Sequence, residues 1–259
     1  MTVRPLDFSK LPDVSELHPE LNPEEQLYAA HMLARENALE AIFGETDPPD
    51  QILSPDDPDF AAGWPGGGVY QYPARGKRSG VHYVTHGLAQ PMDFDDPVEP
   101  ADEPRSGLGI ELVLSTPNES EWPVVVLFEL VKYLLFAENA RLFLPGHRIP
   151  ASLLQQVDPS TQLTHLFGIA SAEYESELLL PAGACTLVHL VGATMAEIER
   201  AKQHRGTTGT YILSETLREL GVGHVTDLKR ACATKDARFD AVWAAVAKKY
   251  EEAGRERPD

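Results

Sequence analysis

A nearly continuous apolar run in the middle of the chain is the feature that most constrains its fold. Residues 124–136 read VVVLFELVKYLLF, and only Glu129 and Lys132 interrupt the run. The run is too short to cross a bilayer, which needs about 20 apolar residues in helical form. A segment this apolar predicts a helix, over residues 120–139, that other elements cover on most sides. Lys132 lies three positions after Glu129, so we expect Glu129 to pair with Lys132 or to face a rim of the helix; the alternative is a carboxyl group with a tuned pKa.

Residues that are typical of helix ends predict further helices. Asn22-Pro23-Glu24-Glu25 supplies an N-cap residue, a proline in the first turn and two acids at the positive end of a helix. Gly44 predicts the end of that helix. Thr194 and Glu197 form a capping box that begins another helix, running to about residue 203. Two more helices are expected over residues 210–220 and 236–252.

Short segments rich in β-branched and aromatic residues predict strands between these helices. The predicted strands are residues 69–72, 81–85, 109–115, 163–169, 178–180 and 186–191. Strands and helices interleave, so we predict the mixed α and β (α+β) class, with a mixed sheet flanked by several helices. The domain organisation predicted is an N-terminal helix with Pro/Asp/Gly-rich loops (1–68) packed on a main domain (69–253), followed by a disordered tail (254–259).

The charge of the chain is strongly negative. Its 40 Asp and Glu residues outnumber 22 Lys and Arg residues, which gives a formal net charge of −18. This charge repels phosphate backbones, and no Lys/Arg cluster opposes it, so we expect no nucleic-acid partner. The charge is explained either by solubility or by attraction to a basic protein partner. The candidate contacts for such a partner are acids in a proline-rich loop: Asp93, Asp95, Asp96, Glu99, Asp102 and Glu103.

The ends of the chain and its cysteines favour a cytoplasmic protein. The first residues contain no apolar stretch of the kind that a signal peptide needs. Cys185 and Cys232 are too few for a disulfide framework and lack the spacing of a zinc site. We therefore expect two reduced, packed thiols, no membrane association, no metal and no cofactor.

Motifs for catalysis are absent from the sequence. It contains no P-loop, no GxGxxG, no HExxH and no GxSxG pattern. His82 and His86 could face the same side of a strand, whereas His147 and His189 lie on other predicted elements. We predict no catalytic residue; the alternative is an enzyme site assembled from these dispersed histidines and acids.

Several ordered segments resemble the Suppressor of fused family. Residues 82–88 (HYVTHGL) are similar to the family's HYISFGLS strand, and residues 109–112 to its GFELTF strand. Trp122-Pro123 with the helix that follows resembles the family's WP…LARY segment, and Glu138-Asn139 its SEN. Residues 188–197 resemble FLQIVGVCTEEL, and residues 226–230 resemble ITDMRR. These segments are collinear from about residue 69 to residue 235.

The resemblance implies a non-enzymatic fold that binds proteins. The chain resembles the N-terminal lobe of the animal members, which clamp an extended peptide between this lobe and a second one. A single lobe is similar to the bacterial members, for which a role as immunity proteins against toxins is proposed. Tyr133 and Gly146 match the family's peptide-binding segment, while His147 stands where the family has aspartate. An edge strand beside Gly146 could accept a β-strand from a partner.

Overall fold

The computed structural model describes residues 5–16, 18–46, 52–64, 66–74, 80–91 and 105–255. The described strands are Leu6–Asp7 (β1), Ile52–Leu53 (β2), Gly68–Tyr72 (β3), Val81–His86 (β4), Arg105–Thr116 (β5), Arg148–Pro150 (β6), Leu163–Ile169 (β7), Glu177–Leu180 (β8) and Gly183–Thr194 (β9). The helices are Pro23–Phe43 (α1), Pro58–Gly63 (α2), Trp122–Phe136 (α3), Leu153–Val157 (α4), Met195–Ala201 (α5), Thr208–Glu219 (α6) and Phe239–Arg255 (α7). A short 3-10 helix spans Ala233–Lys235.

One mixed sheet organises the described strands. Its order is β1-β8-β9-β5-β4-β3-β2, and the second half of β9 also pairs with β7, which carries β6 at its other edge. β5 runs parallel to β9, and β1 runs parallel to β8; the other pairs are antiparallel. The predicted class, a mixed sheet flanked by several helices, is confirmed.

Alternating side chains of the central strands supply separate cores on the two faces of the sheet, as the pleat requires. On β5, Leu112 packs in the cluster that contains α3, whereas the neighbouring Val113 packs against α1. A third cluster joins the ends of β7 and β9 to α5, α6 and α7. Helices therefore cover most of the sheet, and β5 is buried along nearly its whole length.

The central helix differs from its prediction in one respect. α3 packs on the sheet through buried residues such as Leu127 and Val131, but its outer face is open. Val125 and Phe136 on this face are 47% and 50% exposed. The sequence favours cover on most sides because the run is apolar throughout; in the structure the short helix α2 contacts the outer side at Lys132 and Phe136 and leaves both side chains exposed.

Two further expectations need correction. The Pro/Asp-rich segment before residue 60 is predicted as a loop, yet α2 begins at Pro58, with the Asp57 side chain accepting bonds from two backbone N–H groups of its first turn. Lys132 does not pair with Glu129. Its Nζ lies 3.5 Å from Oδ2 of Asp57, because α2 packs beside α3. No described helix is long and apolar enough to cross a membrane.

Candidate functional site

Three of the residues singled out in the sequence meet at one groove. Tyr133 lies in the last turn of α3, and Gly146 and His147 lie just before β6. Together they line an open groove of about 780 Å³, called here the Tyr133 groove. Its apolar lining includes Leu130, Phe143 and Ile149. The six loop acids Asp93, Asp95, Asp96, Glu99, Asp102 and Glu103 lie outside the described residues, so their role stays a proposal.

Tyr133 shapes one wall of the groove. Its ring stacks on the ring of Phe143, with centroids 5.6 Å apart and planes 14° apart. Its hydroxyl accepts a 3.2 Å hydrogen bond from the backbone N–H of Arg141 and lies 3.4 Å from the carbonyl oxygen of Asn139. The side chain is 38% exposed, so Tyr133 is not a core residue. It ties the loop after α3 to the helix and leaves part of its ring open to a ligand.

Gly146 brings the loop against the start of α6. Its φ of 93° is in the region that favours glycine. A Cβ here would lie 2.5 Å from Cβ of Thr207. The carbonyl oxygen of Gly146 also accepts a 2.7 Å bond from the Thr210 hydroxyl. Only glycine permits this close approach, which closes the groove at the residues Gly206 and Thr207.

The mouth of the Tyr133 groove is cationic. The guanidinium groups of Arg141 and Arg148 line it beside the His147 ring, and no acid among the described residues does. Nη2 of Arg148 donates to the carbonyl oxygen of Gly206 at 3.1 Å, while its Nη1 has no hydrogen-bond partner within the described chain. Nδ1 of His147 lies 3.2 Å from the carbonyl oxygen of Leu142. The groove thus offers positive charge to a ligand, although the chain as a whole is acidic.

The edge strand beside Gly146 offers little to a partner strand. β6 pairs antiparallel with β7, in the register Arg148↔Phe167. The N–H of Gly168 donates to the His147 carbonyl oxygen, and the N–H of Ala151 donates to the Thr164 carbonyl oxygen. The backbone groups of the odd-numbered residues therefore face β7. The even-numbered positions face outward, and one of them is Pro150, which has no N–H. The outer edge of β6 therefore presents a single backbone donor, on Arg148.

A second groove lies at the other end of α3. Its volume is about 910 Å³, and Val124, Val125 and Phe128 supply its apolar wall. The side chains of Asp56, Glu119 and Glu121 rim it and are exposed. None of the three makes an ion pair with a described residue. This acidic groove was not anticipated, because its rim comes from segments more than sixty residues apart in the sequence.

The histidines of the enzyme alternative lie in three different environments. His82 and His189 meet on one buried hydroxyl: Nδ1 of His82 lies 2.7 Å, and Nε2 of His189 3.0 Å, from Oγ of Ser115. His86 is buried beneath α1, where Nη2 of Arg35 donates to its Nδ1 at 3.0 Å. His147 is exposed at the Tyr133 groove. Burial lowers the pKa of His86 and of His189 well below the usual range, so both rings are neutral near pH 7.

A buried polar network beneath α1 includes one carboxyl group that sequence patterns did not mark. Glu111 accepts bonds from the backbone N–H groups of Gly87 and Ala89, at 3.0 and 2.9 Å, and from the Thr85 hydroxyl. Burial raises the pKa of Glu111, while the Arg35 guanidinium and these three donors act in the opposite direction. All these groups face into the core, so the network positions the turn after β4 and does not open to either groove. Within the described residues, no group of three or more potential ligands is placed to hold a metal.

Comparisons with known proteins agree with this architecture. The sequence model described as Suppressor of fused protein (SUFU) matches residues 63–231, well over half of the chain. None of the curated proteins matches in sequence.

Solved structures of this family share the fold at low sequence identity. Sufu in the crystal structure of the Sufu–Fu complex is similar with a TM-score of 0.62 and 17% identity, over 84% of this chain and 96% of that one. A Suppressor of fused homologue from Neisseria gonorrhoeae is similar with a TM-score of 0.54 and 16% identity, over 79% and 96% of the two chains. Drosophila Suppressor of fused is similar with a TM-score of 0.51 and 20% identity, over 72% of this chain and 46% of that one.

The resemblance seen in the sequence is thereby confirmed, and the matched region contains α3, β6 and all of the residues that line the Tyr133 groove. The chain belongs to the Suppressor of fused family, whose domains are generally protein-interaction modules.

Proposed function

We propose that this chain is a non-enzymatic protein-binding module that sequesters or neutralises a basic protein partner and holds an extended segment of it in the Tyr133 groove. The observation that carries the proposal is the groove itself. The groove combines an apolar lining, a partly exposed aromatic ring and a cationic mouth, and it lies in the part of the chain that matches the family. Apolar clefts with a few placed polar groups are the usual form of a ligand site.

The charge of the groove determines the chemistry of the bound segment. Arg141, His147 and Arg148 favour a side-chain or terminal carboxylate at the mouth, next to an apolar side chain that contacts Phe143. Backbone pairing with β6 contributes little, because the outer edge of β6 has one donor.

The basic character of the partner as a whole rests on different residues. The net charge of −18 and the unpaired rim acids Asp56, Glu119 and Glu121 attract a positively charged protein during its approach. The loop acids at residues 93–103 would add to this attraction. The partner is thus expected to be basic overall and to carry one acidic or terminal carboxylate in the segment that enters the groove.

Selection of peptides tests this proposal even while the partner is unidentified. A random peptide library displayed on phage is selected against the immobilised chain, and affinities of the enriched peptides are measured by calorimetry. We expect a shared motif with one carboxylate beside an apolar residue. Tyr133→Ala and Arg148→Glu should each weaken binding about tenfold or more, because both residues line the groove.

A charge exchange makes this test specific. A peptide whose carboxylate is replaced by lysine should bind Arg148→Glu better than it binds the wild type. Leu27→Ala and Arg218→Glu are matched controls, since both side chains are exposed on helices that do not line the groove, and neither should change the affinity. Absence of any enriched peptide, or equal binding to all variants, would refute the groove as the binding site.

Toxin neutralisation is the biological form of this function that we propose. If a toxin gene lies beside the gene of this chain, expression of that toxin alone should kill a host cell, and co-expression with the chain should restore growth. The Arg148→Glu variant should protect less well. Killing that persists despite abundant folded protein contradicts the immunity role, while the peptide measurements still decide on protein binding.

A further inference from the structure

The outer face of α3 carries a stripe of four exposed side chains, called here the α3 stripe: Val125, Glu129, Lys132 and Phe136. Their spacing of four, three and four residues places them on one side of a helix. α2 packs beside the C-terminal half of the stripe, where Nζ of Lys132 lies 5.8 Å from the centre of the Phe60 ring and the Phe136 ring packs edge-on against Phe60, and both side chains stay exposed. Val125 and Phe136 are 47% and 50% exposed on this face.

The charged members of the stripe are available for contacts outside the chain. Glu129 is exposed and forms no ion pair with any residue in the described part of the chain. Lys132 reaches Asp57 at 3.5 Å, but both side chains are about half exposed, and such a pair contributes little. Both charges can therefore turn to a partner at small cost.

The order of the stripe is complementary to itself. Read from the N-terminus it runs apolar, acidic, basic, apolar. In an antiparallel pair of α3 helices with a twofold axis between Leu130 and Val131, Val125 lies opposite Phe136 of the second copy. In the same register, Glu129 lies opposite Lys132 of the second copy. A twofold interface requires this property, since each surface must match its own copy.

The surroundings of α3 repeat this complementarity. The unpaired acids Asp56, Glu119 and Glu121 lie at the N-terminal end of the helix, in the acidic groove. The cation Arg141 lies at its C-terminal end, in the loop after α3. Antiparallel packing brings the N-terminal end of one helix near the C-terminal end of the other. Opposite charges then face each other at both ends of the contact.

We propose that the α3 stripe docks a second copy of this chain and forms a twofold-symmetric dimer. This inference goes beyond the proposed function. The opposite wall of the Tyr133 groove, formed by Gly206 and Thr207, lies outside α3 and stays open in the dimer. The net charge of −18 on each copy opposes association at low ionic strength. At about 0.15 M salt, where the screening length is about 8 Å, the short-range contacts of the stripe decide the outcome.

Charge reversal within the stripe tests the dimer. Analytical ultracentrifugation at physiological salt should find a monomer–dimer equilibrium for the wild type. Glu129→Lys and Lys132→Glu should each raise the dissociation constant about tenfold or more, because each altered contact occurs twice in the dimer. The double variant exchanges the two charges and should recover the wild-type constant. A surface that associates without a defined register would not restore the dissociation constant in the double variant.

Net charge alone cannot mimic this pattern. Glu129→Lys changes the net charge from −18 to −18 + 2 = −16, which by itself would favour association. Glu251→Lys makes the same change at an exposed position of α7 and is the matched control; it should not weaken the dimer. Val125→Asp should abolish the dimer with little change in thermal stability, because Val125 is exposed in the monomer.

Two results would overturn the inference: a wild type that stays monomeric up to its solubility limit, or a double variant that dimerises no better than the single ones. Peptide affinity is measured on the same variants. Peptide binding that persists in monomeric Val125→Asp separates failure of the dimer from failure of the proposed function. Conversely, an Arg148→Glu variant that still dimerises but no longer binds the peptide would show that dimerisation and peptide binding depend on different residues.

Discussion

At the scale of single residues, the segment after β9 depends on one buried ion pair. The carboxylate of Glu197 accepts bonds from Nη1 and Nη2 of Arg230 and from the backbone N–H groups of Thr194 and Ala233. Arg230 also donates to the carbonyl oxygen of Gly192 at 2.8 Å. Both oxygens of the carboxylate and both terminal nitrogens of the guanidinium are thus hydrogen-bonded within the protein. Such a pair adds little over an apolar contact, but its disruption leaves a buried charge without a partner.

Removal of one partner should therefore be costly. Arg230→Ala is expected to lower the free energy of unfolding by about 3–5 kcal/mol, because the Glu197 carboxylate stays buried. Urea denaturation followed by circular dichroism measures the change. Arg218→Ala, which removes an exposed bridge, should change stability by less than about 1 kcal/mol. Similar losses for the two variants would contradict the assignment of Arg230 to a buried, structural role.

Acid pH should destabilise the fold through buried histidines. Burial lowers the pKa of His224 to about 4, and it also lowers those of His86 and His189. The unfolded chain binds a proton at these rings below about pH 6.5, whereas the folded chain does so only at lower pH. Their stabilising contribution is complete above pH 6.5 and is lost as the pH falls toward the folded pKa. For His224 the loss at pH 5 is about 2 kcal/mol.

A single variant isolates this effect. His224→Gln keeps a polar partner for the Ser214 hydroxyl and should reduce the fall in stability between pH 7.5 and pH 5 by about 2 kcal/mol. The raised pKa of Glu111 works in the opposite direction in both proteins, because a carboxyl group of that kind loses stabilisation as pH rises. It therefore cancels in the comparison. Parallel pH profiles for the two proteins would show that His224 does not titrate as proposed.

At the scale of elements, local signals identified most of the secondary structure. The capping boxes at Asn22 and Thr194 are present, and β7 has its predicted bounds. The two-residue strands β1 and β2 were missed because they are too short to have a pattern. α2 was missed although Asp57-Pro58 is a readable helix start. Sheet order was not predictable, since the parallel pairing of β5 with β9 joins segments about 75 residues apart.

The Tyr133 groove was predictable only in part. Family resemblance drew attention to Tyr133, Gly146 and His147, and the structure brings them together. The opposite wall at Gly206 and Thr207 has no signal in the sequence, because it depends on how α6 packs against the loop before β6. The exposed outer face of α3 was missed for a similar reason. An apolar pattern indicates which residues can be buried, while the three-dimensional fold decides which of them are.

A glycine substitution tests how the loop before β6 is held. Gly146→Ala forces a side chain into a positive-φ position and against Cβ of Thr207, so we expect a loss of about 2–3 kcal/mol and weaker peptide binding. Gly221→Ala is the control, since its φ is also positive but no atom lies within 4 Å of the added methyl group. It should cost about 1 kcal/mol. Equal losses of stability for the two variants would mean that Thr207 moves aside at little energetic cost, and would contradict a tight contact at Gly146.

At the scale of the whole molecule, the uneven distribution of charge is the main feature. The chain is acidic overall, yet one end of α3 has an acidic groove and the other a cationic one. Long-range attraction of a basic partner and short-range recognition of a carboxylate can then occur on one face. Charge at a distance affects association rates, while buried contacts affect dissociation rates.

This division predicts a characteristic salt dependence. The association rate of a basic partner should fall as ionic strength rises, with a smaller change in its dissociation rate. Surface plasmon resonance over a range of salt concentrations measures both rates. The Glu119→Gln/Glu121→Gln double variant should lower the association rate and leave the dissociation rate nearly unchanged. An effect confined to dissociation would contradict a steering role for the acidic groove.

The most direct test of the central claim, that the Tyr133 groove binds a segment of a protein partner, is to map a selected peptide on the isotopically labelled chain by NMR. Amide signals from the non-proline residues of 141–149 and from Gly206 and Thr207 should shift on titration. Signals from α7, which packs in the separate core cluster with α5 and α6, should stay unchanged. Shifts that concentrate on another face, with residues 141–149 unaffected, would contradict the claim.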